Sequence, residues 1–356
     1  MKYYIKETQI DVERQKTAGV KARNDLESIF EDVGIKRLDM PVLMEKNDTS
    51  SKLAKLKNHR TVYKTWKKIV GDLKSGDQLY VQFPVLEHSL FLHKVFNKLN
   101  KSGVEVILII HDLELLRNSQ NKNSGFSKRM RIKLEESNIL KVATKVISHN
   151  QRMTDYLADN VIDKEKIINL EIFDYLIDDF EQRSGDMHER ICLGKPLIIA
   201  GNLRPKKARY VYDLPNNIDF NLFGIGYEGV DKPNEKYFGS FLPEELPFAL
   251  VGSFGVVWDG ETSETCSGIF GEYLRINNPH KTSLYLASDI PVLIWKEAAL
   301  AEFIQENGCG IVVDSIYDAK DAISKLSYEE YAAMQANAAK VGKRLRSGYY
   351  TRKAIS

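Results

Sequence analysis

The chain has 356 residues, 43% of them hydrophobic and 28% charged, with a formal net charge of +2. That length exceeds one ordinary core and points to two domains, and the composition is that of a globular protein rather than a disordered or fibrous one. No stretch supplies the ~20 apolar residues of a membrane span, and the three cysteines, Cys192, Cys266 and Cys309, lack any Cys-x-x-Cys spacing, which argues against a zinc site or a disulfide framework.

The small net charge conceals an asymmetry. Residues 1–172 carry 31 basic and 23 acidic side chains, and the remainder 20 and 26, so the first part is the attractive one for anions. The start, Met1-Lys2-Tyr3-Tyr4-Ile5-Lys6, has neither the apolar core nor the cleavage site of a signal peptide, and a cytoplasmic protein is expected. Thr17-Ala18-Gly19-Val20-Lys21-Ala22-Arg23 then leads into a helix expected over Ala22 to Val33. It reads either as a plain helix-start turn or as a glycine with basic neighbours that lets backbone approach an acceptor or a phosphate. It is not the Gly-x-Gly-x-x-Gly fingerprint, which disfavours a nicotinamide cofactor.

A weak strand near Arg37 to Pro41 precedes a strongly basic run, Ser51 to Lys74, where Lys52, Lys55, Lys57, Arg60, Lys64, Lys67, Lys68 and Lys74 face the single acid Asp72. The near-helical spacing of Leu53, Leu56, Val62, Trp66, Ile69 and Leu73 predicts a basic amphipathic helix. Its charged face is either solvated or drawn to anionic lipid. Strands are expected at Gln78 to Gln82, Val104 to His111 and Lys145 to Ser148, with helices at Ser89 to Lys101 and Gln151 to Asn160. The apolar run Ile109-Ile110 ends in His111-Asp112, delivering an imidazole and a carboxylate to a strand end, where a general base would take a proton from a hydroxyl. Either residue could instead cap the following helix. Asn118 to Ser127 is the best candidate for a mobile loop beside a site, and Val146-Ile147-Ser148-His149-Asn150 reads as capping and cleft lining.

A second series follows the polar stretch Glu181 to Lys195, with strands expected at Pro196 to Ala200, Phe220 to Phe223, Phe254 to Trp258, Val292 to Trp295 and Gly310 to Val313. Buried runs alternating with helical patterns imply two doubly wound Rossmann-like α/β domains facing an interdomain cleft, joined near residues 173–194. Gly201-Asn202-Leu203-Arg204 repeats the strand, glycine, polar, basic pattern and could clamp a diphosphate through a bidentate arginine. Phe223-Gly224-Ile225-Gly226-Tyr227 adds a ring that stacks on a nucleobase or simply packs. Trp258-Asp259-Gly260 through Gly268 is an acidic, hydroxyl-rich loop suited to sugar hydroxyls, and the chain contains no Asp-x-Asp, which weakens a metal-dependent transferase. In Asn277-Asn278-Pro279-His280-Lys281-Thr282-Ser283 through Ala287, a helix start with a lysine and two hydroxyls reads as an anion site or as an ordinary capped helix. Beyond Ser315 the chain turns helical, and a last helix crossing back onto the first domain is expected.

The blocks Gly19…Lys21-Ala22-Arg23, His111-Asp112, Val146 to Asn150, Ile172 to Leu176, Ala200 to Leu203, Trp258-Asp259-Gly260, Glu264 to Gly268 and Asn277 to Leu286 span nearly the whole chain. In their order the sequence resembles the bacterial galactofuranosyltransferases of O-antigen assembly. It is similar also to the glucosyltransferases that extend N-acetylglucosamine on serine-rich streptococcal adhesins. The resemblance implies a GT-B fold: an acceptor-binding Rossmann-like domain over residues 1–175, a nucleotide-sugar-binding one over 176–335, and a C-terminal helix, 336–356, returning to the first. It implies that Lys281, Thr282 and Ser283 meet a UDP diphosphate beside Asn278, that Asn202 and Arg204 lie near the same nucleotide, that Thr17 and Gly19 reach the donor from the opposite wall, and that Tyr227 and Tyr237 belong to the donor site. The expected function is inverting galactofuranosyl transfer from a UDP-sugar to a glycoside in cell-surface polysaccharide synthesis. Asp112 would be the base, with His111 the alternative, and neither metal nor other cofactor is expected. UDP-glucose-dependent glucosyl transfer to an adhesin glycoprotein, or a non-catalytic glycosyltransferase-like subunit, are the alternatives. Expected partners are the donor and a glycan acceptor, with no nucleic acid. A homo-oligomer is expected, as is peripheral contact with the inner face of the plasma membrane through residues 51–74.

Overall fold

The computed structural model describes residues 1–7, 18–41, 52–87, 90–119, 135–185, 187–230 and 232–356. Thr17, Ser51, Ser89 and most of the expected 118–127 loop lie outside the described residues. The chain divides into two compact units, one of Met1–Val12 with Leu26–Leu170 and one of Glu13–Asp25 with Glu171–Ser356.

The first unit is built on six parallel strands in the order β2-β1-β3-β4-β5-β6. The strands are β1 Lys2–Glu7, β2 Lys36–Met40, β3 Gln78–Phe83, β4 Glu105–Ile110, β5 Lys145–Ser148 and β6 Ile167–Asn169. Helices α1 (Ala18–Asp32), α2 (Lys52–Ile69), α3 (Leu92–Lys101) and α4 (Glu114–Ser119) follow the first four strands. Central β3 and β4 are nearly continuous apolar runs because helices cover both faces of such a sheet, and each buries five of its six residues. On one face α2 and α3 pack through Trp66 against Phe96, with ring centroids 5.7 Å apart. The chain order reverses between β1 and β3, the position where open α/β sheets bind ligands.

The second unit has its own parallel sheet, ordered β12-β11-β10-β7-β8-β9. Its strands are β7 Leu197–Asn202, β8 Phe220–Ile225, β9 Glu235–Tyr237, β10 Gly255–Val257, β11 Val292–Trp295 and β12 Gly310–Val313. This is the doubly wound dinucleotide-fold order, with its reversal between β7 and β10. There the two strands share one register pair, Gly255 with Ile198. Beyond it the Tyr285 hydroxyl accepts the Ala200 N–H at 2.7 Å, so a side chain from the His280–Ala287 helix completes the ladder. A Cβ at Gly255 would stand 2.2 Å from the Tyr285 ring, which explains a glycine in a buried strand.

The 19-residue Tyr328–Arg346 helix opens with a reciprocal capping box between Ser327 and Glu330. The short Tyr349–Ile355 helix is capped by buried Asp174, whose oxygens accept the N–H groups of Tyr350 and Thr351 at 3.2 and 2.6 Å. Cys266 and Cys309 are buried free thiols and Cys192 is half-buried. Among the described residues no helix is long and apolar enough to cross a membrane.

Candidate active site

In the second unit the residues expected to hold a diphosphate gather at the β7/β10 reversal. Asn202 ends β7, and its side chain accepts the Arg204 N–H at 3.1 Å, an Asx turn that directs the chain away from the sheet. Arg204 is exposed, its stem lying against Gly226. Just past β10, Trp258 O and Asp259 Oδ1 accept from Lys281 Nζ at 2.6 and 3.0 Å. Lys281 and Asp259 are both mostly enclosed, with side-chain exposures of 13% and 9%. This cation is thus held largely away from water by one carboxylate and one carbonyl.

Lys281 sits in the first turn of the His280–Ala287 helix, where backbone N–H groups ordinarily lack helical partners, though that of Thr282 donates to Pro279 O at 2.9 Å. Three buried polar atoms around this turn, Asn277 Oδ1, His280 Nε2 and Thr282 Oγ1, have no hydrogen-bond partner among the described residues. So many orphans within six residues of chain mark a place that a ligand or solvent completes. Ser283 is differently engaged: its hydroxyl donates to Phe173 O at 2.6 Å and anchors the helix. Asn278 likewise donates to Glu171 O at 3.0 Å.

The segment Phe173–Leu176 lines the same turn. The His280 ring lies over Tyr175 at 5.0 Å, and burial, with the Lys21 cation nearby, lowers its pKa to about 3, so it is a neutral imidazole at physiological pH. Lys21 Nζ donates to Asp25 Oδ1 at 2.5 Å and to Leu176 O at 2.6 Å, and stands 4.8 Å from the Tyr175 ring centroid. Burial raises the Asp25 pKa to about 6 against the opposing pull of Lys21. Gly19, two residues before Lys21 on α1 and within this unit, is exposed with open space where a Cβ would stand. Thr17 lies outside the described residues.

Beyond β7 and β8 three tyrosines form a cluster. Tyr227 stacks on Tyr212 at 5.6 Å and tilts against Tyr237 at 5.0 Å. The Tyr227 hydroxyl donates to Glu235 at 3.0 Å, and that of Tyr237, which is 41% exposed, to Gly224 O at 2.8 Å. The sequence pattern pointed to Tyr227 and the family resemblance to Tyr237, but neither offered a sign of Tyr212.

In the first unit β4 delivers His111 and Asp112 to the sheet edge. His111 Nε2 faces Gln82 Oε1 at 2.7 Å, and Gln82 Nε2 donates to Glu27 at 3.2 Å. A carbonyl oxygen opposite Nε2 places the proton of a neutral ring there and leaves the lone pair on Nδ1. Asp112 accepts the Leu113 N–H at 3.1 Å and pairs with Arg117 at 2.5 Å, keeping 31% of its side chain exposed. Thus Asp112 does engage the helix that follows, while the N-terminal N–H groups of α4, on Glu114 and Leu115, go to Glu136 at 3.0 and 2.8 Å. Glu136 is buried, and its pKa rises to about 7. Gln82, Glu136 and Arg117 were not singled out by sequence, and only the last is close enough in the chain to have been.

Sequence models describing the N-terminal and C-terminal domains of glucosyltransferase 3-like proteins match residues 2–172 and 197–356. The chain is 37% identical over 288 residues to the beta-1,6-galactofuranosyltransferase WbbI of Escherichia coli strain K12, covering 80% of this chain and 79% of that protein. It is 26% identical over 337 residues to glucosyltransferase 3 of Streptococcus gordonii, covering 94% and 92%. In fold it is similar to WaaG, a glycosyltransferase involved in lipopolysaccharide biosynthesis, with a TM-score of 0.54 at 12% identity over 100% of this chain and 99% of that one. A sucrose-phosphate synthase from Thermosynechococcus elongatus gives 0.58 at 11% identity over 100% and 97%.

Proposed function

The chain belongs to the glucosyltransferase 3-like family and is a glycosyltransferase of GT-B fold, and from that premise we propose that it transfers a galactofuranosyl group from a UDP-sugar to a glycoside hydroxyl with inversion and without a metal ion. The donor sugar is argued from the 37% identity to a galactofuranosyltransferase whose name specifies a β-linkage. The observation that carries the nucleotide site is Lys281: a mostly enclosed cation in the first turn of a helix, at a sheet reversal, beside buried polar atoms that lack partners.

In this reading the acceptor hydroxyl gives its proton to Asp112 as its oxygen bonds to the anomeric carbon. The bond from that carbon to the β-phosphate oxygen breaks, and UDP leaves with the electron pair. Lys281, Arg204 and the N-terminal N–H groups of the His280–Ala287 helix face the charge that develops, a role a divalent cation fills in other transferases. Neutral His280 adds no charge of its own. His111 is a second candidate for the base, favoured by the Gln82 contact that orients its ring. Glucosyl transfer from UDP-glucose is a second reading of the donor, supported by the 26% identity that extends over 94% of the chain.

Lys281→Ala removes one charge-assisted contact, so UDP affinity is expected to fall roughly 10- to 100-fold by calorimetry. Unchanged UDP affinity in a folded Lys281→Ala protein would refute the assignment.

A further inference from the structure

Helices α2 and α3 contain no acidic residue: their sequences are KLAKLKNHRTVYKTWKKI and LHKVFNKLNK. On α2, His59, Val62 and Trp66 turn inward, while Lys57, Arg60, Lys64, Lys67 and Lys68 are exposed on the opposite side. On α3, Leu92, Val95, Phe96 and Leu99 are buried, and Lys94, Lys98 and Lys101 are exposed at helical spacing. The helices lie side by side, joined by the edge-on contacts of Trp66 with Phe96 and of Tyr63 with Phe91. None of these eight cations forms an ion pair with a described residue, whereas Lys6, Lys21, Lys232, Lys281 and Lys353 each meet a carboxylate. Arg60 with Lys64, Lys64 with Lys68 and Lys94 with Lys98 are like charges at i,i+4, a spacing that repels on an isolated helix.

We propose that this two-helix face docks on an anionic lipid surface. Seven of its eight cations are lysines, point charges suited to a diffuse plane of headgroups, whereas recognition of a discrete nucleic-acid phosphate favours the arginine fork. The aromatic rings here, Tyr63, Trp66, Phe91 and Phe96, pack on one another rather than forming the platform that single-stranded bases require. Each lysine brought to such a surface raises partition about fivefold, and the attraction is screened by salt. The inference is independent of the donor sugar and of the catalytic base.

The test is sedimentation of the full chain with vesicles of phosphatidylglycerol and phosphatidylcholine in equal parts, and with phosphatidylcholine alone. The protein is expected to bind the mixed vesicles, to leave them in high salt, and not to bind the neutral ones. Lys64→Glu with Lys68→Glu is expected to lower partition roughly 30-fold or more. Lys320→Glu with Lys325→Glu, an equal charge change in the second unit, leaves it nearly intact. Lys94→Gln with Lys98→Gln, on the other helix, gives an independent loss, and unfolding midpoints establish that each variant folds. Equal binding to neutral vesicles, undiminished binding by folded variants of both helices, or tighter binding to DNA than to the mixed vesicles at the same salt would overturn the proposal.

Discussion

At the scale of single residues, the second unit carries buried groups whose titration links stability to pH. Asp174 illustrates the balance: three hydrogen bonds from Tyr350 and Thr351 favour its carboxylate, yet burial outweighs them and raises its pKa to about 7 from an ordinary 3.8. A folded-state pKa above the unfolded value gives stability that is complete below about pH 4 and is lost as pH rises through 7. Asp25, raised to about 6, acts in the same direction. His280, lowered to about 3, acts oppositely: its contribution is present above the ordinary 6.5 and is lost as pH falls toward the folded value. Asp174→Asn keeps a cap acceptor but cannot ionise. Its stability relative to the parent is therefore expected to improve by on the order of 2 kcal/mol or more between pH 5 and pH 8, a shift of several degrees in relative melting temperature. A difference between the two proteins that stays constant over that range would remove Asp174 from the account.

Among secondary-structure elements, the ends of β7 and β8 show how the backbone shapes the candidate site. Gly224 has φ of +151°, and a Cβ there would stand 1.8 Å from Gly201 O. The close approach keeps the two strands in register through the Asn202–Ile225 pair, immediately before the segments that carry Arg204 and Tyr227. Gly224→Ala is expected to destabilise the protein by about 3 kcal/mol or more, whereas Gly185→Ala, with open space around it, stays within about 0.5 kcal/mol in chemical denaturation. Equal effects would show that the strand ends accommodate a side chain. The apolar strands were legible in sequence: β11 and β12 occur at the expected residues, and β4, β7, β8 and β10 differ only at their ends. The missed strands have physical reasons. β1, KYYIKE, has charged residues at its ends, and β6 and β9 are three-residue edge strands that bury little. The basic helix was visible as a pattern, but its acid-free neighbour α3 joins it only through tertiary packing.

For the molecule as a whole, the two-sheet architecture was readable because buried parallel strands announce themselves by composition, whereas the couplings within each site were not. Lys281 and Asp259 are 22 residues apart, His111 and Gln82 are 29 apart, and Tyr285 reaches Ala200 across 85, distances over which no local spacing carries information. What the motifs did locate were strand ends, and in doubly wound sheets those are where ligands bind. The central claim, metal-independent inverting transfer of galactofuranose from UDP, is tested most directly by incubating the protein with UDP-galactofuranose and a panel of simple glycosides in excess chelator and assigning the product linkage by NMR. A β-galactofuranosyl product with undiminished turnover is expected from the parent, and roughly 10²–10⁴-fold slower turnover from Asp112→Asn. An α-linked product, a rate abolished by the chelator and restored by a divalent cation, or transfer from UDP-glucose alone would contradict it.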